Sequence, residues 1–272
     1  MKFKYVFALF NAVVGLSFLF VFAMPFLALG GAYAATFWSA NWPLAFILAA
    51  ILAAIDLFFL GNWRLFALLE QEDWPALAHY LEERVIKRKR WSPRLVRLLA
   101  NTYLVLSDSA AVASLEAKVA AAKPDLLDKN ALVFGVARVL ANDNDVALDF
   151  FRARRGKGRA ESPEWIEWYY AFTLLLSRRF EEAADVLSVL SRGAKDAIVA
   201  ALASSFLVDS VSRALPDRAA ELAEAASEGR SRVLAKFPNR AAWEKEIEKS
   251  RAEIHVVVLT KSIGEAADRL YA

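Results

Sequence analysis

Apolar residues are distributed in two different ways along the 272-residue chain. The first 63 residues hold 48 apolar residues and only three charges, at Lys2, Lys4 and Asp56. Beyond them charged residues are frequent, and apolar residues recur at steps of three and four, the spacing of one face of an α-helix. The pattern therefore predicts an apolar N-terminal segment, residues 1–63, followed by an all-α helical domain, residues 64–272.

Two predominantly apolar runs dominate the N-terminal segment: residues 5–29, which have no charge, and residues 42–60, whose one charge is Asp56. About 20 apolar residues span the ~30 Å hydrocarbon core of a membrane, so each run is long enough to cross it. Gly30 and Gly31 end the first run, and Gly61 ends the second, which leaves a connection of about a dozen residues, 30–41. We predict a helical hairpin of two transmembrane helices.

A cleaved signal peptide is the alternative interpretation of the first run. Lys2 and Lys4 form a basic start, and Ala32-Tyr33-Ala34 resembles a small-residue cleavage site. The apolar region of a signal peptide has roughly 7–15 residues, which is much shorter than this run. We therefore favour a retained membrane span.

Basic residues flank the two runs on one side only. Lys2 and Lys4 precede the first run, the connection has no charge, and six basic residues follow the second run: Arg64, Arg84, Lys87, Arg88, Lys89 and Arg90. Because positive flanking residues stay in the cytoplasm, we expect a two-pass protein of a bacterial inner membrane with both termini cytoplasmic. Five of these residues, 84 and 87–90, are also candidates for contact with anionic lipids. The alternative is a solvated turn.

The helical domain shows a period of about 35 residues. Matched positions of four successive second helices, Trp74, Ser109, Asn144 and Phe180, are spaced 35, 35 and 36 apart. Helix starts are predicted at Ser92-Pro93 and Ser162-Pro163, where serine is a preferred N-cap and proline a preferred first residue, and Asp128 is a candidate cap between them. Helix pairs at this period predict an α-solenoid.

Several short patterns then resemble the tetratricopeptide repeat family over about residues 65–195. They are Leu99-Ala-Asn-Thr-Tyr103 in a first helix, the small residues Ala100, Gly135 and Ala171, the small-then-large pairs Ala147 with Phe151 and Ala183 with Leu187, and Pro124 at the end of a unit. The small residues are expected where the two helices of a unit press together. The middle repeat departs from the pattern, because Val112 and Glu116 replace one pair and Arg138 stands where an aromatic residue is expected.

The C-terminal third continues the pattern less regularly. We expect residues 197–211 to pair with 217–237, which Pro216 opens, and residues 239–272 to form a long helix interrupted near Gly264. The β-branched run 254–259 reads as the buried face of this terminal, capping helix, with a strand as the alternative.

Few residues of the chain suggest catalysis or the binding of a metal or cofactor. The net charge is +3, cysteine is absent, and the two histidines, His79 and His255, lie far apart, which predicts an exposed helix residue and a packing residue. Gly156-Lys157-Gly158 lacks the spacing of a phosphate-binding loop. A basic cluster at 152–159 lacks interleaved aromatics, so we expect no nucleic-acid partner. We also expect no metal, no cofactor and no enzymatic activity.

The resemblance implies a protein-binding groove lined by the first helices, around residues 95–103, 131–138 and 165–174. Five groove residues are candidate contacts with a partner: Arg138, Trp165, Trp168, Tyr169 and Tyr170. The alternative is that the aromatic residues pack between helices. We expect a membrane-tethered scaffold that binds protein partners within a larger membrane complex. The alternative is an accessory subunit of a membrane enzyme or transporter that binds through its transmembrane hairpin.

Overall fold

The computed structural model describes residues 3–156, 162–251 and 253–272. All regular secondary structure in these ranges is helical, as the spacing of apolar residues predicts. The chain divides into two compact units, Met1–Tyr80 and Leu81–Ala272.

An apolar helical hairpin begins the first unit. Helix α1 covers Phe3–Leu29 and helix α2 covers Gly31–Gly61. The ring centroids of Phe7 and Phe59 lie 5.6 Å apart, and those of Phe22 and Trp38 lie 4.5 Å apart. Since later residues of α1 meet earlier residues of α2, the two helices run antiparallel.

The predicted connection of a dozen residues between the two runs is wrong. Gly30 alone separates the helices, and its φ of 81° is a left-handed value that glycine adopts without strain. The following residues are rich in alanine, which favours helix, so α2 begins at once. Pro43 lies inside α2, and the parts Gly31–Leu44 and Phe46–Gly61 are bent by 45°.

Two helices of the described residues, or three stretches if the bent parts of α2 count as one span, are long and apolar enough to cross a membrane. They are Lys4–Ala28, the two bent parts of α2 taken together, and Ala197–Ala214. The last stretch is 61% buried within the protein, so we assign it to the core of the second unit. The N-terminal helix, by contrast, has none of its apolar window buried.

Fifteen further helices follow the hairpin in the described residues. They are α3 (Trp63–Glu70), α4 (Trp74–Glu82), α5 (Pro93–Val105), α6 (Ser109–Ala122), α7 (Asp125–Lys129), α8 (Ala131–Leu140), α9 (Asn144–Arg152), α10 (Pro163–Leu176), α11 (Phe180–Gly193), α12 (Ala197–Phe206), α13 (Ser212–Ala214), α14 (Ala219–Lys236), α15 (Arg240–Ser250), α16 (Ile254–Val257) and α17 (Thr260–Leu270). One π-helical turn, Glu83–Lys87, extends α4, and another, Leu207–Val211, extends α12.

One turn geometry recurs four times, between α3 and α4, α5 and α6, α8 and α9, and α10 and α11. Each turn has a left-handed residue with φ of 53–63°, at Glu72, Ser107, Asn142 and Arg178, so the spacings are 35, 35 and 36. In each turn the next backbone N–H donates to the carbonyl five residues earlier. This bond closes the end of a helix in a Schellman motif. The same helical hairpin is therefore built four times with the period that the sequence predicts.

Helices of the second unit pack in a regular order. The first helices α5, α8, α10 and α12 each contact the next, and each packs on its own second helix, α6, α9, α11 or α14. A Cβ atom at Gly135 would lie 2.2 Å from Cζ of Phe151, which confirms that a small residue there lets α8 and α9 press together.

The predicted helix caps have mixed outcomes. Ser92 accepts a bond of 3.3 Å from the N–H of Leu95 and caps α5, as predicted. Ser162 precedes α10 but its side chain makes no capping bond. The prediction for Asp128 is wrong, because the residues after Pro124 form α7, which contains Asp128, and Asn130 instead flanks the start of α8.

The C-terminal region also differs from the single interrupted helix that the sequence predicts. Helix α15 ends at Ser250, the backbone of Glu253 is extended, and Gly264 lies within α17. Burial of Ile263, Ala266 and Leu270 stabilises α17, which tolerates the roughly 1 kcal/mol that a glycine costs in a helix. The run 254–259 contains the short helix α16, and the strand alternative is wrong.

Candidate functional site

A cavity of about 530 Å³ opens where the first helices of the second unit meet the C-terminal region. Its walls come from α5, the end of α7, the start of α8, the start of α10, the connection between α11 and α12, and residues 250 and 253–255. Volumes of roughly 300–1,000 Å³ are typical of ligand pockets. The cavity therefore lies beside the first helices α5, α8 and α10, and the C-terminal region forms one side of it.

The C-terminal segment Glu253–Leu259 lies against α10 and α8. The hydroxyl of Tyr169 donates a bond of 2.8 Å to the backbone carbonyl of His255. The ring of Trp165 meets the imidazole of His255 edge-on, with centroids 4.5 Å apart. The groove between residues 165–174 and 131–138 is thus partly covered by the protein itself.

His255 is buried in this contact, with 8% of its surface exposed. Burial, together with the smaller effect of the positive charge of Arg97, lowers its pKa to about 4. The imidazole is therefore neutral near pH 7. This outcome agrees with the prediction that His255 is a packing residue, and His79 is exposed on α4 as predicted.

Two acidic residues of the cavity wall, Glu164 and Asp196, are engaged in hydrogen bonds. Both carboxylate oxygens of Glu164 accept from backbone N–H groups, those of Lys195 and Asp196, at 2.9 and 2.8 Å. Asp196 accepts from Nε1 of Trp165 at 2.9 Å and from the N–H of Ile198 at 2.8 Å, so it also caps α12. These bonds fix the start of α10 against the start of α12.

Two asparagines of the cavity wall have unused hydrogen-bonding capacity. The side-chain oxygens of Asn101 and Asn130 are buried and have no partner in the described ranges. Asn130 is 2% exposed, and its Nδ2 donates to the carbonyl of Leu126 at 2.9 Å. That bond fixes the orientation of the amide, so its oxygen is the group left without a donor. A buried polar group without a partner is costly and typically marks a ligand or an ordered water.

The aromatic candidates on α10 are buried rather than displayed. Trp165, Trp168, Tyr169 and Tyr170 are between 0 and 5% exposed. Trp168 stacks on Phe172 at 5.2 Å. Their placement favours the interpretation that these rings pack between helices, with Trp165 and Tyr169 forming the floor under His255.

Arg138 has partners within the second unit. Its Nη2 lies 2.7 Å from Oε2 of Glu116, and its guanidinium lies 4.2 Å from the ring centre of Phe150. Its Nη1 donates to the carbonyl of Phe134 at 2.9 Å. The structure thus holds Arg138 in a local network.

The lipid candidates occupy the turn after α4. Lys87, Arg88, Lys89 and Arg90 are exposed, and Arg84 is half-buried. Arg88 pairs with Glu83 at 2.7 Å, which offsets one of the charges. Four exposed basic residues in succession form a local positive patch.

The structure describes only part of the second basic cluster, residues 152–159. Arg154 stacks on the ring of Phe150 at 3.5 Å, and Arg155 pairs with Glu167 at 2.7 Å. Lys157, Gly158 and Arg159 lie outside the described residues.

Sequence reasoning missed the contact between the C-terminal segment and the groove. The two elements are 86 residues apart at Tyr169 and His255, and no pattern within either one specifies the other. The one available signal was the dense β-branched run at 254–259, which is too apolar for a solvated tail. Within the described ranges no group of three or more His, Asp or Glu side chains is placed to hold a metal ion.

Comparison with known proteins places the chain in a family. Residues 111–272 match the family model described as "Uncharacterised Treponema protein". The match covers more than half of the chain and includes the C-terminal segment and all of the cavity wall except its α5 residues, so the chain belongs to this family.

A relative from Treponema pallidum (strain Nichols), described as an uncharacterized protein, is 35% identical over 175 residues. The alignment covers 64% of this chain and 54% of the relative, so the chain spans about half the length of that curated relative. No solved structure matches the chain.

Proposed function

We propose that the protein is a membrane-anchored scaffold whose tetratricopeptide-like solenoid binds protein partners as a component of a larger membrane complex. The observation that carries the proposal is the turn that recurs at Glu72, Ser107, Asn142 and Arg178 beside an apolar helical hairpin. Identical hairpins stacked in order are the building principle of helical repeat proteins, which generally use their extended surfaces to bind other proteins.

The anchor in this proposal is a two-pass hairpin. Helix α1 has 27 residues, which at 1.5 Å per residue make about 40 Å, enough to cross the hydrocarbon core. Trp42 and Trp63 are separated by about 30 Å of helix on the same scale and sit at the two ends of the second run, where tryptophan favours the membrane interface. Basic residues on one side assign both termini to the cytoplasm of a bacterial inner membrane.

Topology can be tested with single cysteines, because the chain has none of its own. Ala32→Cys, an exposed position two residues after the turn at Gly30, should react with a membrane-impermeant maleimide in intact spheroplasts. Ser109→Cys, at the exposed start of α6, should react only after the membrane is permeabilised. The reverse pattern would overturn the proposed topology.

Partner binding can be tested by charge reversal at the cavity. Lys129 and Lys195 line it and are exposed, so Lys129→Glu and Lys195→Glu should remove specific proteins that co-purify in mild detergent. Lys118→Glu on α6, an exposed second-helix position, is the matched control and should retain them. Equal recovery from all three variants would contradict binding at this surface.

One observation favours the alternative in which the hairpin itself binds a membrane partner. Asp56, within α2, has a buried carboxylate oxygen without a hydrogen-bond partner in the described part of the chain. Ionisable groups inside a membrane usually find a polar partner. If this alternative holds, Asp56→Leu or an unrelated hairpin should abolish assembly while the Lys129 and Lys195 variants assemble normally.

Contact with anionic lipid is a further part of the proposal. The exposed residues Lys87–Arg90 would each contribute about 1 kcal/mol close to a negatively charged surface. Changing the four residues to glutamine should weaken crosslinking of the second unit to anionic lipid in reconstituted vesicles and leave crosslinking in neutral vesicles unchanged. Unchanged crosslinking in anionic vesicles would identify the segment as a solvated turn.

A further inference from the structure

We propose that the segment Glu253–Leu259 is an internal ligand of the first-helix groove, and that a short apolar segment of a partner protein displaces it. The inference rests on the proposed function, because it concerns how the partner-binding groove becomes available and what it recognises. The contacts that bind the segment to the groove support this proposal.

The segment contacts the groove as a bound peptide does. A single side-chain hydroxyl, that of Tyr169, holds the backbone at His255, and the Trp165 ring covers the imidazole. Val256 is 3% exposed, whereas its neighbour Val257 is 48% exposed. One face of the segment is therefore buried and the other faces solvent.

The segment has little local structure that would hold it in place without the groove. Helix α16 has four residues, the backbone is extended before it at Glu253, and the helical path is interrupted after it at Leu259. A single helical turn is unstable in isolation because helix nucleation is unfavourable. Its conformation therefore depends on the groove, and such segments open more easily than the core.

The segment fills the groove incompletely. The cavity of about 530 Å³ remains beside it, and the side-chain oxygens of Asn101 and Asn130 in the cavity wall have no donor in the described ranges. A longer peptide that follows the same path brings additional backbone N–H groups to this wall. The groove therefore fits a partner segment with an apolar, β-branched turn, like Ile254–Val258, joined to an extended stretch.

Single cysteines in the full-length protein measure the opening of the segment directly. In detergent or nanodiscs, Val256→Cys reports release of the segment, Ala171→Cys in α10 (0% exposed) reports opening of the core, and Val257→Cys sets the rate for an exposed thiol. We expect the maleimide to react with Cys at 256 at least tenfold faster than at 171 and slower than at 257. A rate equal to that at 171 would place the segment in the cooperative core, and a rate equal to that at 257 would mean that it is not bound; either result overturns the proposal.

Two neighbouring tyrosines provide a matched test of the contact. Tyr169→Phe removes the hydroxyl that donates to His255, and the loss of one such bond, about 1 kcal/mol, should raise the labelling rate at 256 about fivefold. Tyr170→Phe removes a hydroxyl that does not contact the segment in any described bond, and should change the rate less than twofold. Equal effects of the two variants would contradict the assigned contact.

A synthetic peptide with the sequence of residues 250–262 tests whether the groove accepts an external segment. We expect the peptide to raise the labelling rate at 256 in a saturable manner and to leave the rate at 171 unchanged, whereas a scrambled peptide has no effect. No acceleration at millimolar peptide in the Tyr169→Phe background would overturn displacement. The labelling needs no cellular partner, so failure of this inference is distinguishable from failure to recover a partner for the scaffold.

Discussion

Arg138 and Glu116, which lie 22 residues apart in the sequence, form an ion pair of 2.7 Å between α8 and α6. These residues are the ones by which the middle hairpins depart from the tetratricopeptide pattern, since each stands where a large apolar or aromatic side chain is expected. The pair is largely shielded, with 26% of Arg138 and 14% of Glu116 exposed. One departure from the pattern therefore compensates for the other.

Loss of the ion pair between Arg138 and Glu116 should destabilise the protein. We expect Glu116→Gln or Arg138→Gln to cost roughly 1–2 kcal/mol, because each leaves a partly buried charge without its partner. Replacement of both by the residue types of the family pattern, Glu116→Leu with Arg138→Phe, should recover most of the loss. Denaturation of the solubilised full-length chain measures all three. Additive costs in the double variant would show that the two residues act independently.

A methyl group at Gly135 should be more disruptive than one at Gly264. Both glycines are helical, but a Cβ at Gly135 would lie 2.2 Å from the Phe151 ring, whereas nothing lies within 4 Å of one at Gly264. We expect Gly135→Ala to cost about 1–3 kcal/mol through overpacking, and Gly264→Ala to stabilise the protein by about 0.5–1 kcal/mol. Thermal unfolding of the two variants should shift in opposite directions, and a shift in the same direction would contradict the packing described for α8 and α9.

The two Ser-Pro helix starts should respond differently to alanine. Ser92 caps α5 through a bond to the N–H of Leu95, so Ser92→Ala should cost about 1 kcal/mol. The side chain of Ser162 makes no capping bond, so Ser162→Ala should change the stability by a few tenths of a kcal/mol at most. Denaturant midpoints distinguish the two, and an equal loss would show that Ser162 also caps its helix.

His255 should make stability depend on pH. Its pKa in the folded protein is about 4, below the 6.5 of an unfolded histidine, so the unfolded chain binds more protons between these values. Stability should therefore be constant above pH 6.5, fall as the pH decreases from 6.5 to 4, and level off below. At about 1.4 kcal/mol for each tenfold change in affinity for the proton, the loss is roughly 3 kcal/mol.

The control for this prediction is the difference between the native chain and His255→Gln. Subtraction of the two pH profiles removes the contributions of other groups, including the charged residues that line the same cavity: Arg97, Asp128, Lys129, Glu164, Lys195, Asp196 and Glu253. The exposed His79, changed to glutamine, should leave the profile as it is. A native profile that matches that of His255→Gln would exclude His255 as the source.

Local patterns predicted much of the architecture. The period from Trp74 to Phe180 anticipates the four equivalent turns, and the small residue at Gly135 anticipates the close approach of α8 and α9, because both depend on residues near one another in sequence. The predicted loop before Trp42 failed because one left-handed glycine, Gly30, is enough to reverse the chain, and the alanine-rich residues after it then favour helix.

The candidate site depended on contacts that no local pattern encodes. Of the residues 95–103 and 165–174, Arg97, Asn101, Trp165 and Ile166 line the cavity, whereas the candidate aromatic side chains of α10 are buried. Tyr169 and His255 meet across 86 residues, so their contact follows from the assembled fold and not from either segment alone. The same limit applies to Arg138 and Glu116, whose substitutions look unrelated in the sequence and are neighbours in space.

The four equivalent turns also bear on how the length of the chain can change during evolution. Their left-handed positions hold glutamate, serine, asparagine and arginine, and only asparagine among these is notably suited to that conformation. The flanking helices therefore impose the turn, whatever residue occupies it. A gene segment of about 35 codons, duplicated or deleted between two such turns, would rejoin the chain with the junction unchanged. We expect relatives of this protein to have gained and lost length during evolution in steps of whole hairpins.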